Sequence, residues 1–439
     1  MSVYEIEITG IASEMQGVGR LPDGRAAFVP RAIPGETVEI EIVRARDRFV
    51  EARLLRVLKP SDSRIEPVCP HFGVCGGCQT QHMKYEKSLA LKRQKVYDAL
   101  ARLGGVQDPC VNDTVPSENV FGYRNKAEYA CNHGYSGMFE QGSHRIIDMD
   151  ECPLQTDEAN KAFSYVKKHM GSLQIKYIVP RVNRRGEMLL TLSTDGKCNI
   201  KPLADALMKE FSFILGVYEM KLKPRPAHAL DGEIRKIAGN ADFFETLSGL
   251  TFTVSPQSFF QVNRPQAEKL YDIALSLADL KENEKIVDVY SGAGTISLAA
   301  AKKCAHVTGI EIVPEAVRDA NKNAEMNGLS HKTKFYAGDA AQVYVRLNKT
   351  EKFDCVIVDP PRKGVDESVI NALIQSVTNR IVYVSCNVAT LARDVKRLTE
   401  SGKYRFEKAV PVDMFPMTGH VETVVLLSRK TNASEASLM

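Results

Sequence analysis

Three patterns of apolar and polar residues succeed one another along the chain. From residue 1 to about 60 the two kinds alternate with period two, as in Tyr4-Glu-Ile-Glu-Ile8, Val38-Glu-Ile-Glu-Ile-Val43 and Val50-Glu-Ala-Arg-Leu-Leu-Arg-Val57. Glycine-rich turns and Pro34-Gly35 separate these runs, so a small closed β-barrel is expected over residues 1–60, followed by a linker at Lys59-Pro-Ser-Asp-Ser-Arg64. Between residues 84 and 103 the apolar positions recur at three and four (Leu89, Leu91, Val96, Leu100), the spacing of an amphipathic helix. Residues 121 to about 255 return to short strand-like runs, at 188–193 and 213–218, with at least one helix near 201–211; a central α+β domain is expected over 61–255. After Pro265 strands and helices alternate regularly, with strands at 286–290, 307–311, 334–336, 353–359 and 380–386, then a hairpin-like pair at 406–414 and 422–427. That alternation predicts a doubly wound, Rossmann-like sheet over 256–430, a multidomain α/β protein as a whole, and a frayed tail at 431–439.

Composition narrows the setting. With 439 residues and 44% hydrophobic composition, the chain can bury more than one core. No apolar run is long enough for a membrane span, and the N-terminus lacks the basic-then-apolar layout of a secretory signal, so a cytoplasmic protein without membrane contact is expected. In that compartment ten cysteines point to metal or catalytic thiols, because reducing conditions do not sustain disulfides. The net charge of +4 permits a polyanionic partner without proving one. No feature calls for an obligate protein partner, and a monomer is expected.

Cys386 carries the chemistry. It ends the apolar run that begins at Arg380, one helix and one strand after Asp359-Pro-Pro-Arg-Lys-Gly364, and two consecutive strands of an open α/β sheet deliver their ends to one crevice. A thiol there asks for an electrophile. Asp288-Val-Tyr-Ser-Gly292-Ala-Gly294 follows the first strand of that sheet, and its glycine turn would let a cofactor approach the backbone; the third glycine of a dinucleotide fingerprint is replaced by Ser297. Glu311, ending the second strand, suits a carboxylate that accepts both ribose hydroxyls, a role common to nicotinamide and adenosylmethionine enzymes. Asp359-Pro-Pro resembles the catalytic loop of adenosylmethionine-dependent methyltransferases, although Arg362 stands where base-amine methylators usually carry an aromatic. Cys386 could add to C6 of a pyrimidine and make C5 a nucleophile; once C5 is methylated, a base must remove its hydrogen. Glu422, opening the last strand, is the best candidate. Taken singly, the two residues read as a buried structural thiol and a solvated strand-end glutamate.

Together, Ser255-Pro-Gln-Ser-Phe-Phe-Gln-Val-Asn263, Asp288 to Gly294, Asp359-Pro-Pro-Arg, Ser385-Cys386-Asn387 and His420-Val-Glu422-Thr resemble the RNA uracil-C5-methyltransferase family over nearly the whole chain. The resemblance implies that Cys386 is the nucleophile and Glu422 the base. It further implies that Gln261, Tyr290, Glu311 and Asp359 form the pocket for S-adenosyl-L-methionine and the target base, with Phe259 or Phe260 packing beside the extruded uracil. Asp339 is a further candidate for the adenine end of the cofactor. Ser291 and Thr295 depart from the residues many members carry there, and Thr295 is given no cofactor contact.

Cys69, Cys75 and Cys78 are spaced C-x5-C-x2-C, and Cys152 in Asp150-Glu-Cys-Pro153 offers a fourth thiolate; four thiolates suit zinc or an iron–sulfur cluster. The family resemblance implies a 4Fe–4S cluster. Cys110, Cys131, Cys198, Cys304 and Cys355 show no partner pattern. The N-terminal barrel, with Gly17-Val-Gly19-Arg, Phe28-Val-Pro-Arg31 and arginines 44, 46 and 48, resembles the TRAM domain, an OB-like RNA-binding module. Gly122-Tyr-Arg124-Asn-Lys126 is expected to add a second basic and aromatic patch. By analogy with family members that carry both barrel and cluster, the expected partner is 23S rRNA, with tRNA as the alternative. Rival readings are a base-amine methyltransferase, which would not need Cys386, and a cluster-bearing RNA-binding or assembly protein without catalysis.

Overall fold

The computed structural model describes residues 2–132, 134–196, 198–240 and 242–430, so the tail expected at 431–439 lies outside the described residues. Strands β1 (Val3–Ile11), β2 (Gly17–Arg20), β3 (Ala26–Val29), β4 (Thr37–Ala45) and β5 (Phe49–Lys59) close a barrel in the order β1-β2-β3-β5-β4. Alternation does what period two requires: Ile6, Ile8, Val38, Ile40 and Val50 turn inward and are buried, while Arg44 at the end of β4 and Arg46 and Arg48 in the turn before β5 stand exposed. The segment read as a linker is tied down. Arg64 donates to the fully buried Glu36 carboxylate, with Nη2 to Oε2 at 2.7 Å, and that pairing holds Glu36 below the usual carboxylate range despite its burial.

Helix α1 (Tyr85–Arg102) follows, then strands β6 (Tyr129–Asn132), β7 (Tyr135–Phe139) and β8 (Ile146–Asp148), helix α2 (Asp157–His169), β9 (Ile175–Val182), β10 (Met188–Thr194), α3 (Lys201–Glu210), β11 (Ile214–Leu222) and β12 (Gly232–Gly239). The strands form one sheet, β12-β11-β10-β9-β6-β7-β8, with α2 and α3 packed into the core on one face. A hairpin, β13 (Phe244–Leu247) and β14 (Leu250–Thr253), leads to α4 (Arg264–Ala278), whose Pro265 sits in the first turn, where the missing N–H costs nothing.

The last sheet is built from β15 (Lys285–Val289), α5 (Thr295–Ala301), β16 (His306–Glu311), α6 (Pro314–Met326), β17 (Thr333–Ala337), α7 (Ala340–Leu347), β18 (Cys355–Val358), α8 (Glu367–Gln375), β19 (Arg380–Ser385), α9 (Val388–Glu400), β20 (Tyr404–Val412) and β21 (Glu422–Arg429). Its order is β17-β16-β15-β18-β19-β21-β20, parallel up to β19 and antiparallel in the final pair. β15 and β18 are nearly all buried, which explains their continuous apolar runs. The order in which strands are added reverses between the parallel β15 and β18, so the carboxyl ends of these strands open the crevice where such sheets bind ligands.

Packing crosses the segments read from sequence. Val96, Ala99 and Leu100 of α1 share a core with α9 and β20, and Val111 and Val115 bridge to Ala409 and Val412, lengthening the sheet edge. The β13–β14 hairpin packs with α4 in the core on the other face of this sheet. Lys92 of α1 and Asp413 form an ion pair with both side chains fully buried, joining the helix to the segment before β21.

Candidate active site and cysteine cavity

A cavity of about 810 Å³ lies at the reversal point and is lined by Gln261, Tyr290, Glu311, Asp339 and Asp359, together with Phe259, Asp288 and Thr295. Its floor is the turn after β15. Tyr290 adopts a left-handed φ of 77°, costly for a residue with a Cβ, while its N–H and that of Ser291 both donate to Ile310 O at 2.9 Å. Gly294 (φ 83°) has no room for a side chain, since a Cβ would lie 3.1 Å from Phe335. Both Glu311 oxygens are oriented by backbone, accepting from Gly292 N–H at 3.0 Å and Val313 N–H at 2.9 Å. Asp339 lines the cavity while capping α7, with Oδ1 accepting from Gln342 N–H at 3.1 Å.

Ser297, at the missing glycine position, donates to Asp288 Oδ2 at 2.5 Å, and Asp288 Oδ1 is buried without a partner. Burial and the Glu311 charge raise Asp288 to about 6. The Ser255–Asn263 loop is held from the central domain, where Asn125 Nδ2 donates to Gln261 O at 3.1 Å and Arg181 Nη2 to Ser258 O at 2.5 Å. This loop separates its two aromatics: Phe260 is buried against Phe252, whereas Phe259 is 82% exposed on the cavity wall.

Cys386 and Glu422 do not line that cavity; they adjoin it through Asp359. Ser385 pairs with Thr423, so the antiparallel register carries Cys386, one residue on, opposite Glu422. Burial raises Asp359 to about 7, with the Asp288 charge adding to it. Burial raises Glu422 to about 8, Asp359 pushing the same way and Arg362 opposing. The Cys386 thiol is raised to about 11 by burial, then by Glu422 and Asp359. Asn387 caps α9 through Oδ1 to Ala389 N–H at 3.0 Å, and its Nδ2 donates to Arg362 O at 3.1 Å, so one side chain ties the nucleophile turn to the Asp-Pro-Pro loop. Asp394 fixes the same loop from below, accepting from Val365 N–H at 2.9 Å and Tyr383 Oη at 2.8 Å. Neither the Arg362 contact nor Asp394 had a local signal in the sequence.

Cys69, Cys75, Cys78 and Cys152, all half-buried, line one cavity of about 70 Å³ in the central domain. Gln81 Nε2 donates to Cys78 Sγ at 3.2 Å and Gly77 N–H to Cys75 Sγ at 3.4 Å. Arg124 lines the cavity too, its Nε buried without a partner and its guanidinium 5.7 Å from the Phe415 ring centre. Tyr123 is 7% exposed and packs beside Met417. The expected aromatic and basic patch at Gly122–Lys126 is therefore not presented outward: Tyr123 is buried with its hydroxyl donating to Pro416 O at 3.0 Å, and Arg124 faces the thiols. Among the described residues no group of three or more His, Cys, Asp or Glu is placed to hold a metal ion, the four cysteines of this cavity included. Of the cysteines without a partner pattern, Cys131, Cys304 and Cys355 are buried, Cys198 is half-buried and Cys110 is exposed. No helix among the described residues is long and apolar enough to cross a membrane.

Comparison with known proteins agrees with this geometry. The family model described as tRNA (Uracil-5-)-methyltransferase matches residues 246–430, and the TRAM domain model matches residues 1–55. An uncharacterized RNA methyltransferase of Caldanaerobacter subterraneus is 39% identical over 97% of this chain and 98% of its own. Another, from Halalkalibacterium halodurans, is 36% identical over 98% and 97%. Among solved structures, Pyrococcus abyssi tRNA (uracil-54, C5)-methyltransferase, in complex with S-adenosyl-L-homocysteine, superposes with a TM-score of 0.76 at 28% identity, covering 97% of this chain and 100% of that one. With a barrel at one end, an open α/β sheet at the other and relatives matched along nearly their full length, the chain belongs to the S-adenosylmethionine-dependent RNA uracil-5-methyltransferase family and carries an N-terminal TRAM domain.

Proposed function

We propose that the chain forms 5-methyluridine in structured RNA with Cys386 as nucleophile and Glu422 as base. The observation that carries this reading is the register of β19 and β21, which sets a thiol and a buried carboxylate opposite one another beside Asp359. The Cys386 thiol gives its proton to a neighbouring carboxylate and its sulfur bonds to uracil C6, moving the C5=C6 electron pair into the enolate. S-Adenosylmethionine, when bound, supplies a sulfonium methyl group, and the cavity fits it: Glu311 for the ribose, the Gly292–Gly294 turn for close approach, and Gln261 and Tyr290 on the walls. Carbon C5 takes that methyl. Glu422 then removes the C5 proton, the double bond re-forms, and the sulfur leaves as thiolate. Paired uracil is closed to this sequence, so the base must be extruded, with Phe259 as its exposed stacking surface.

A 4Fe–4S cluster held by Cys69, Cys75, Cys78 and Cys152 is part of the reading. Its support is the convergence of four thiols on one cavity and the unpartnered Arg124 Nε, a buried donor suited to sulfur of a negatively charged cluster. The favoured substrate is 23S rRNA, on the family resemblance. A second reading, tRNA, is favoured by the full-length match to an enzyme that acts on uracil-54 of tRNA. The chemistry is tested with 5-fluorouridine RNA and S-adenosylmethionine: fluorine cannot leave C5 as a cation, so a denaturation-resistant protein–RNA adduct is expected, and methyl transfer without any adduct would refute Cys386. Mapping 5-methyluridine in rRNA and tRNA with and without the protein separates the two substrates.

A further inference from the structure

Arg362 takes no part in the chemistry above, yet its place is tightly fixed. Its carbonyl accepts from Asn387 Nδ2 at 3.1 Å and Thr390 Oγ1 at 3.3 Å, both on the turn that follows Cys386. Its exposed guanidinium donates to His420 Nδ1 at 3.1 Å. His420 is thereby held with its proton on Nε2, and burial, then the Arg362 and Lys95 charges, lower it to about 4. Lys95 of α1 donates to Gly419 O at 2.8 Å, one residue before His420. Among the described residues no carboxylate is within ion-pair distance of Arg362 or Lys95; Glu14 of the barrel is the acid whose charge reaches Lys95 and His420. Three separate elements thus bring N–H donors, and two cations with no ion-pair partner among the described residues, to the rim of the crevice.

An extruded uridine carries its own anion to that rim. With the ring between Cys386 and Glu422, the ribose stands at the mouth and the flanking phosphates lie outside it. A guanidinium locked by an acceptor on one edge keeps its remaining donors in fixed positions, the arrangement that recognises phosphate oxygens with most geometric selectivity. We infer that Arg362 and His420, with Lys95 adding charge, form a clamp for one of the two phosphodiesters flanking the target uridine. This rests on Cys386 being the nucleophile.

The test uses the full chain and three RNAs carrying 5-fluorouridine at the target: one unmodified, one with a methylphosphonate 5′ of it and one with a methylphosphonate 3′ of it. Wild type should form adduct about tenfold more slowly with one of the two substituted RNAs. Arg362→Gln should be about tenfold slower on unmodified RNA and indifferent to the substitution, while Arg362→Lys recovers part of the discrimination. S-Adenosylhomocysteine affinity, set by the other cavity, should stay unchanged. Equilibrium RNA binding gives a readout that needs no adduct: the slope of log affinity against log salt should fall by about one in Arg362→Gln. Wild type ignoring both methylphosphonates, or a variant keeping full discrimination and an unchanged slope, overturns the clamp. Absence of adduct from every RNA with the slope change intact overturns the nucleophile and leaves the phosphate contact standing.

Discussion

Two thiols in this molecule, Cys386 and Cys78, are both raised by burial, yet they differ in the groups set around the sulfur. Beside Cys386 stand Glu422 and Asp359, which push the thiol further up, with Arg362 opposing. Beside Cys78, burial lifts the thiol to about 12; Gln81 donates to its sulfur and favours the anion, the charges of Cys152 and Cys75 push the thiol further up, and the Arg124 charge opposes them. On the proposed roles, neighbouring carboxylates keep an attacking thiol protonated until a substrate makes the thiolate useful, and a side-chain amide donor suits a sulfur that stays anionic. What separates the two sites is the carboxylate pair at one and the amide donor at the other, since burial is common to both.

Cys386→Ala should break the comparison most severely, abolishing the 5-fluorouridine adduct and lowering methylation by at least about a thousandfold. Glu422→Gln should lower turnover by about 10²–10³ while adduct builds up on natural RNA, which denaturing gels read directly. Because Glu422 acts as a base only when ionised and sits near 8, kcat/KM of the wild type should rise with pH below about 8 and level off above it. Cys78→Ser should act on the other group: iron and its visible absorption should be lost, and adduct formation should slow by only about tenfold. The slowing is indirect, since Gln79 and Thr80 N–H bond Met417 O at 2.9 and 3.2 Å, on the segment leading to Glu422. The smallest effect is on stability. A carboxyl whose folded-state value is raised stabilises fully below its unfolded value of 4.5 and loses that contribution as pH climbs through about 8. Glu422→Gln should therefore match wild type in denaturant melts near pH 4.5 and exceed it above pH 8.

The catalytic strands were legible because parallel strands buried on both faces read as unbroken apolar runs, and their ends place Asp288, Glu311, Asp359 and Cys386 at one edge. Helix α2 escaped notice because its buried face is built from Ala159, Ala162, Phe163 and Val166, a stripe half made of alanine. The edge bridges of Val111 and Val115 pair with residues nearly 300 positions away, which no local pattern encodes. Arg124 was misread as surface because arginine is seldom buried; only the fold shows the cavity it faces. The Arg362–His420 contact joins two loops from different crossovers and is visible only once β19 and β21 are neighbours.

Met15, held in a left-handed turn at φ 57° and 1% exposed, plugs the barrel onto Ile33, Met83 and Leu91, and a Cβ on Gly419 would lie 3.1 Å from its side chain. A barrel pinned at this point cannot swing like a tethered arm. Packed methionines thus fix the spacing between the barrel surface and the segment that leads to Glu422.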